Sequence, residues 1–209
     1  MVAVIIVAVI VGIVVLIGLV LAGMYNGLIR ARVRTQEAWS GIDVQLKRRA
    51  NLIPNLVETV RGYAAHERGT FEEVTRARSM VEQAGDVGSA ADANNMLTGA
   101  LRHLFAVAEN YPQLQASQNF MDLQQELSDI EEKIAYARQF YNRNVMSYNT
   151  RIQTFPNVVM ANMFGFLRFD FFQAEEEARE VPEVSFAPPA EPPATPPSVS
   201  EPPASTPEQ

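Results

Sequence analysis

His66 and His103 are the only histidines in this 209-residue chain, and no cysteine accompanies them. Disulfides, thiolate metal sites and cysteine nucleophiles are therefore excluded, and no His-x-x-x-His pair exists to hold a metal on one helix face. His66-Glu67 could serve as a base and an acid, or as half a metal site. Adjacent residues on a helix point about 100° apart, however, so the two side chains do not converge on one atom. A solvated helix end is the simpler expectation. His103 stands beside Leu101 and Leu104, with Glu109 its nearest acidic neighbour in sequence, and reads as structural. No paired carboxylates, Ser-His-Asp set or metal cluster can be assembled. The chain is expected to be no enzyme, with no catalytic residue, no cofactor and no metal.

The remaining candidates are charged or polar. Lys47-Arg48-Arg49 suggests nucleic acid, but residues 30–169 hold 16 basic and 15 acidic side chains without interleaved aromatics, so nucleic acid is not expected. Arg30, Arg32 and Arg34 suit anionic lipid headgroups, where each basic group is worth about 1 kcal/mol. Lys47–Arg49 lie about 20 Å farther along a helix, past a Debye length of about 8 Å, and suit salt bridges or a protein partner. Arg49 and Asn144 interrupt otherwise apolar stripes. Such polar groups fix register between helices at a cost in stability, or form a buried functional pair. The formal charge of −7 is unevenly spread, because residues 170–209 hold nine acidic side chains and one basic.

These residues need elements to hold them, and the first is an anchor. From Val2 to Met24 every residue is Val, Ala, Ile, Leu, Met or Gly. As a helix this run covers about 34 Å, enough to cross a hydrocarbon core of about 30 Å. A signal peptide would carry a basic leader and a shorter apolar run. No basic residue precedes this one, and Met24 follows Leu21-Ala22-Gly23 where a lipoprotein needs cysteine. An uncleaved span from Val2 to Met24 is expected. Gly12 and Gly18 lie six apart, which is not the spacing of a GxxxG packing face. Basic residues follow the span and none precedes it, so the N-terminus should lie outside and the body in the cytoplasm of a cell membrane.

The body reads as all-α. Trp39, Ile42, Leu46, Ile53, Leu56, Val60 and Tyr63 recur at three- and four-residue steps, the seam of packed helices. Pro54 removes one hydrogen bond from this run, so a kink near Ala50–Ile53 is expected. Thr70 and Glu73 have capping-box spacing, so a helix restarts there with Phe71, Val74, Ala77 and Val81, unless one helix continues to about Gln83. Gly85–Ser89 is the clearest break. A helix from about Ala93 to Tyr111 should follow, ended by Pro112. Ser117 then caps a long helix with Phe120, Leu123, Leu127, Ile130, Ile134, Ala137 and Tyr141 in heptads, continued by Asn144 and Tyr148. Tyr141-Asn142 and Tyr148-Asn149 stand one heptad apart and share a face, which suits helix packing better than a ligand box. The expected fold is an N-terminal transmembrane helix, then an elongated antiparallel bundle of three to four helices.

Several runs here resemble one family. Ala38-Trp39-Ser40, Ile42–Arg49, Leu52–Val60, Gly62–Glu67 and Ala106–Pro112 are similar to the LemA family, as are Phe140-Tyr141-Asn142, Tyr148–Ile152 and Phe155-Pro156. The resemblance covers about residues 25–185. It implies a bacterial single-pass membrane protein with a helical-bundle body, and implies no reaction, cofactor or catalytic residue.

Residues 157–172 concentrate Val, Met, Leu and Phe, and should cap the bundle or dock on a membrane or partner groove. Residues 182–209 contain ten prolines, four glutamates and no basic residue, the composition of an extended, disordered spacer. The expected division is an anchor over 1–24, a bundle over 25–181 and a tail over 182–209. The function this implies is a membrane-anchored scaffold or interaction module, with the lipid bilayer and unidentified proteins as partners and room for a homo-oligomer. The alternative is an accessory or regulatory subunit of a membrane enzyme or transporter.

Overall fold

The computed structural model describes residues 1–173, and the expected Pro-rich tail and Glu175-Glu176-Glu177 lie outside them. Six helices and no strand occur among the described residues: α1 (Val2–Arg61), α2 (Arg68–Gln83), α3 (Val87–Ala108), α4 (Pro112–Gln115), α5 (Gln118–Gln153) and α6 (Asn157–Phe164). Residues 166–172 follow α6 as an extended strap.

α1 is one unbroken helix of 60 residues that serves two solvents. Val2–Gly23 are exposed throughout, whereas Leu28, Thr35, Ile42, Arg49 and Leu56 are buried at strict seven-residue intervals. The apolar lower part therefore meets no protein and the upper part carries a packing seam. From Tyr25 to Arg61 the helix rises about 55 Å, and the 36 residues of α5 cover about 54 Å. This match lets α5 run antiparallel to α1 over the whole body and end beside the top of the apolar run. Trp39 faces Tyr141 and Arg49 faces Glu131, ten residues along each helix in opposite directions.

The α2–α3 hairpin covers only the half of α1 farther from the anchor. Arg49 sits at its junction with the α1–α5 pair. Its guanidinium donates to Asn94 Oδ1 at 2.7 Å and Thr98 Oγ1 at 3.0 Å on α3, and pairs with Glu131 of α5 at 3.0 Å. The half nearer the anchor has no third long helix. There the strap closes the α1–α5 pair, with Phe166 in the small core of Leu28, Tyr148, Ile152 and Met160, and Phe172 in the main core.

Pro54 does not end α1. Its missing N–H leaves the carbonyl of Ala50 without a helical donor, and Arg78 of α2 supplies one, Nε to O at 3.0 Å, while its Nη2 holds Glu82 at 2.7 Å. A neighbouring guanidinium thus replaces the donor lost at Pro54, and α1 continues as helix through this position. Helix α1 does stop at Gly62, ahead of Gln83, and α2 begins at Arg68 without a side-chain cap. Backbone bonds across the Gly62–Glu67 turn restart the helix before Thr70 could cap it. The capping box lies instead at Asp86, which accepts from Ser89 N at 2.9 Å while its own N–H reaches Ser89 Oγ at 3.3 Å. These bonds hold the Asp86 carboxyl below its ordinary value and start α3 at Val87, ahead of the expected Ala93. Pro112 opens α4 at its first turn, where no N–H is needed.

Removing the donor to Ala50 gives a rescue test. Arg78→Met should cost about 1–2 kcal/mol in denaturant unfolding followed by circular dichroism. In a Pro54→Ala background, where residue 54 again donates to Ala50, most of that loss should vanish. An undiminished loss would show that Arg78 acts through Glu82 alone.

Candidate functional site

The end of the body beside the apolar run carries most of the residues singled out above. Arg30, Arg32 and Arg34 do not act as one patch. Arg30 and Arg34, one turn apart, line a cleft of about 210 Å³ with Gly27 and Ala31 of α1 and Asn144, Ser147, Tyr148 and Arg151 of α5. Arg32, about half a turn around α1 from both, does not line the cleft, although its charge opposes the burial that raises the Tyr148 phenol. Arg151, about 120 residues in sequence from Arg30 and Arg34, joins them only once α5 is laid antiparallel to α1. Asn144 donates to Phe140 O in its own helix at 2.8 Å, and Val145 takes the buried stripe position beside it. Its polar amide faces the cleft.

Two other asparagines cross between elements. Asn149 accepts from Phe169 N at 3.0 Å and donates to Phe169 O at 2.8 Å. Asn142 repeats this at Phe172, at 2.9 Å and 3.0 Å. The tyrosines beside them do likewise: Tyr148 donates to Leu167 O at 3.0 Å and Tyr141 to Asp170 O at 2.9 Å. Seven helical residues rise about 10.5 Å, and three extended residues cover nearly the same distance. A heptad of Tyr-Asn pairs thus reads every third residue of the strap, each amide standing in for the edge of a neighbouring strand. The expectation that these tyrosines satisfy their hydroxyls at a packing edge is met, with the strap backbone as acceptor. Gly165 makes the reversal into the strap, in left-handed geometry at φ 69° with its N–H on Ala161 O.

The apolar segment 157–172 divides its residues. Met160, Ala161, Phe166 and Phe172 are buried against the body, as a cap requires. Phe155 (84% exposed), Val159, Met163, Phe164 and Leu167 (81%) remain outside. They make an exposed apolar collar on α6 and its flanks. Tyr25 of α1 lies against it through Phe164, ring centroids 5.0 Å apart, and its ring is 5.9 Å from the buried Phe166. On the cleft's own flank, farther from the anchor, a groove of about 550 Å³ continues between Gly41 and Gln45 of α1 and Lys133, Tyr136 and Phe140 of α5.

The histidines stay apart. His66 is exposed in the α1–α2 turn. His103 meets Glu73 of α2, Nδ1 to carboxylate at 3.1 Å, an acidic partner that sequence distance conceals. Among the described residues no group of three or more His, Asp or Glu is placed to hold a metal.

Two tests address the strap. Asn149→Ala removes both bonds to Phe169, about 2 kcal/mol, and should speed hydrogen exchange of the Phe169 amide more than tenfold (roughly) while moving Phe172 less. Equal protection in variant and parent would assign the strap to ring packing alone. Tyr141 is pushed up to about 12, first by burial and then by the Asp170 carboxylate. Folding therefore favours its neutral form, and this stabilisation is whole below about pH 10 and lost as pH rises towards about 12. Tyr141→Phe should flatten that alkaline loss and remove the last step of the tyrosinate absorbance titration.

Comparison with known proteins agrees with this architecture. The chain is 29% identical over 184 residues to magnetosome protein MamQ 2 of Paramagnetospirillum magneticum, covering 76% of this chain and 67% of the relative. It is 28% identical to magnetosome protein MamQ of Magnetospirillum gryphiswaldense with the same coverage, and 29% identical to protein LemA of Metamycoplasma hominis, over 77% of this chain and 74% of that one. A family model described as the LemA family matches residues 38–186, most of the chain, with the α1 seam from Ile42 onward and the Tyr-Asn ladder inside it, and the chain belongs to the LemA family.

Proposed function

We propose that this chain is a single-pass, membrane-tethered helical scaffold that presents a protein-binding flank and carries out no reaction of its own. The observation that carries the reading is the continuity of α1. A lipid-soluble run passes without a break into the packing seam of the body, so anchor and body form one lever. The relatives support membrane association. The collar supports it as well, since Phe155, Phe164 and Leu167 beside Tyr25 match the aromatic and apolar content of a bilayer interface.

The basic residues that follow the span favour an outside N-terminus and a cytoplasmic body in a cell membrane. The anchor corresponds to residues 1–24, and the body begins at Tyr25. Protein partners are assigned to the α1–α5 groove, where Tyr136 and Phe140 are exposed beside Glu132 and Lys133. Arg49 serves register rather than partners, since its guanidinium is committed to α3 and α5.

The chain lacks cysteine, and nothing lies within 4 Å of where a Cβ on Gly85 would stand, so Gly85→Cys is a clean reporter. An impermeant thiol reagent should label it only after cells are permeabilised. Labelling in intact cells would overturn the cytoplasmic placement. A photoreactive side chain at Tyr136 should trap protein partners in intact membranes. One stoichiometric enzyme or transporter would select the accessory-subunit reading, and absence of adducts at both Tyr136 and Phe140 would remove the groove from the proposal.

A further inference from the structure

We infer that the cleft between α1 and α5 is a binding site for the phosphate of an anionic phospholipid headgroup, in the leaflet from which α1 emerges. This rests on the membrane reading above and adds a ligand to it. Three guanidiniums converge there from two helices, Arg30 and Arg34 from α1 and Arg151 from the last turn of α5, and no Asp or Glu lines the cleft. None of the three makes an ion pair among the described residues. Arg49 and Arg78, by contrast, are each ion-paired, to Glu131 and Glu82. Three like charges held together without a counter-charge repel one another, and an anion relieves that repulsion. Guanidinium forks also match phosphate oxygens two at a time, and Asn144, Ser147 and Tyr148 add neutral polar groups.

Depth selects a lipid phosphate over a free one. Measured from Met24, Gly27 lies about 4.5 Å and Arg30 about 9 Å along α1. The headgroup layer extends about 5–8 Å beyond the hydrocarbon core on each side. Gly27, at the mouth of the cleft, therefore stands in the headgroup layer, and Arg30 and Arg34 stand about one and two turns above it, with Cα–Cβ bonds tilted back towards it as in any α-helix. The collar fixes this depth from the opposite direction, because Val159, Met163 and Phe164 lose their exposure to water only if α6 rests in the interface. Gly27 opens the entrance, and a Cβ built on it meets nothing within 4 Å.

The test uses the full chain in bilayer nanodiscs, with Ser147→Cys carrying an environment-sensitive fluorophore at the rim. Adding phosphatidylglycerol to phosphatidylcholine discs should give a saturable signal, and the same concentration of inorganic phosphate in phosphatidylcholine discs should give none. Arg30→Gln, Arg34→Gln and Arg151→Gln should each raise the phosphatidylglycerol fraction needed for half-saturation by about fivefold. Arg32→Gln, outside the cleft, should change it less. Gly27→Leu fills the entrance without touching the core and should abolish the signal while leaving the helical circular dichroism intact. Equal signals in both lipid compositions, a response to inorganic phosphate alone, or equal effects of Arg32 and Arg34 would each overturn the assignment. Insertion into the discs is read separately by co-purification, so loss of the anchor and loss of the headgroup site are distinguishable.

Discussion

A helix carries its direction forward for as long as its turns continue, and the body is built around one that continues for 60 residues. Because α1 carries its seam straight on from the apolar run, every element packed on it inherits a fixed height above Met24. α5 ends beside the top of the apolar run, α6 packs on both α1 and α5 at that end, and Arg30 and Arg34 of the cleft stand about two and three turns above Met24. The continuity has a cost at Pro54, where one carbonyl loses its donor. Arg78 supplies the replacement from α2, so the hairpin docks on α1 through the defect as well as through Phe71, Val74 and Val81.

Packing differs along the height of the body. Away from the anchor, four helices enclose a core rich in alanine and branched aliphatics, with Arg49 linking three of them. Near the anchor two helices and a strap do the same work with larger rings. Trp39 lies 6.4 Å from Phe172, and Tyr148 lies 5.1 Å from Phe169. An extended segment cannot satisfy its own backbone groups as a helix does. The ladder of Tyr and Asn side chains satisfies one edge of it, which is why a strap can lie in a place where a third helix would be expected.

The long seams were legible from periodicity alone. The α1 stripe from Ile42 to Val60 and the α5 heptads reappear, because burial on one helix face imposes a 3.5-residue repeat on the sequence. The expected break at Gly85–Ser89 is confined to residues 84–86, since Val87–Ser89 already belong to α3, and Tyr63 stands exposed beyond the end of α1. The capping box was misplaced, since Thr70-x-x-Glu73 has the commoner signature while Asp86-x-x-Ser89 forms the bonds. Arg49 was legible as a polar residue on an apolar stripe, although its partners Asn94 and Thr98 were not. What periodicity cannot show is pairing between a side chain and a distant backbone. The repeat of Tyr141-Asn142 at Tyr148-Asn149 was visible on the helix, but its complement at Phe169 and Phe172 has no signature beyond a three-residue spacing of rings. The cleft was half legible: Arg30 and Arg34 stand together in sequence, whereas Arg151 joins them only through the fold.

The equal repeat of helix and strap also limits how this region can change length. One residue inserted between Phe169 and Phe172, or deleted there, turns every later ring and amide to the wrong side and breaks the match with Asn142. Only paired changes, three residues in the strap with seven in α5, leave the match intact, and the latter would also lengthen α5 by about two turns against a fixed anchor. Length differences among relatives should therefore collect in the α1–α2, α2–α3 and α3–α5 connections. The runs Tyr141–Asn149 and Leu167–Phe172 should each align between them without gaps, behaving as two matched scales laid side by side.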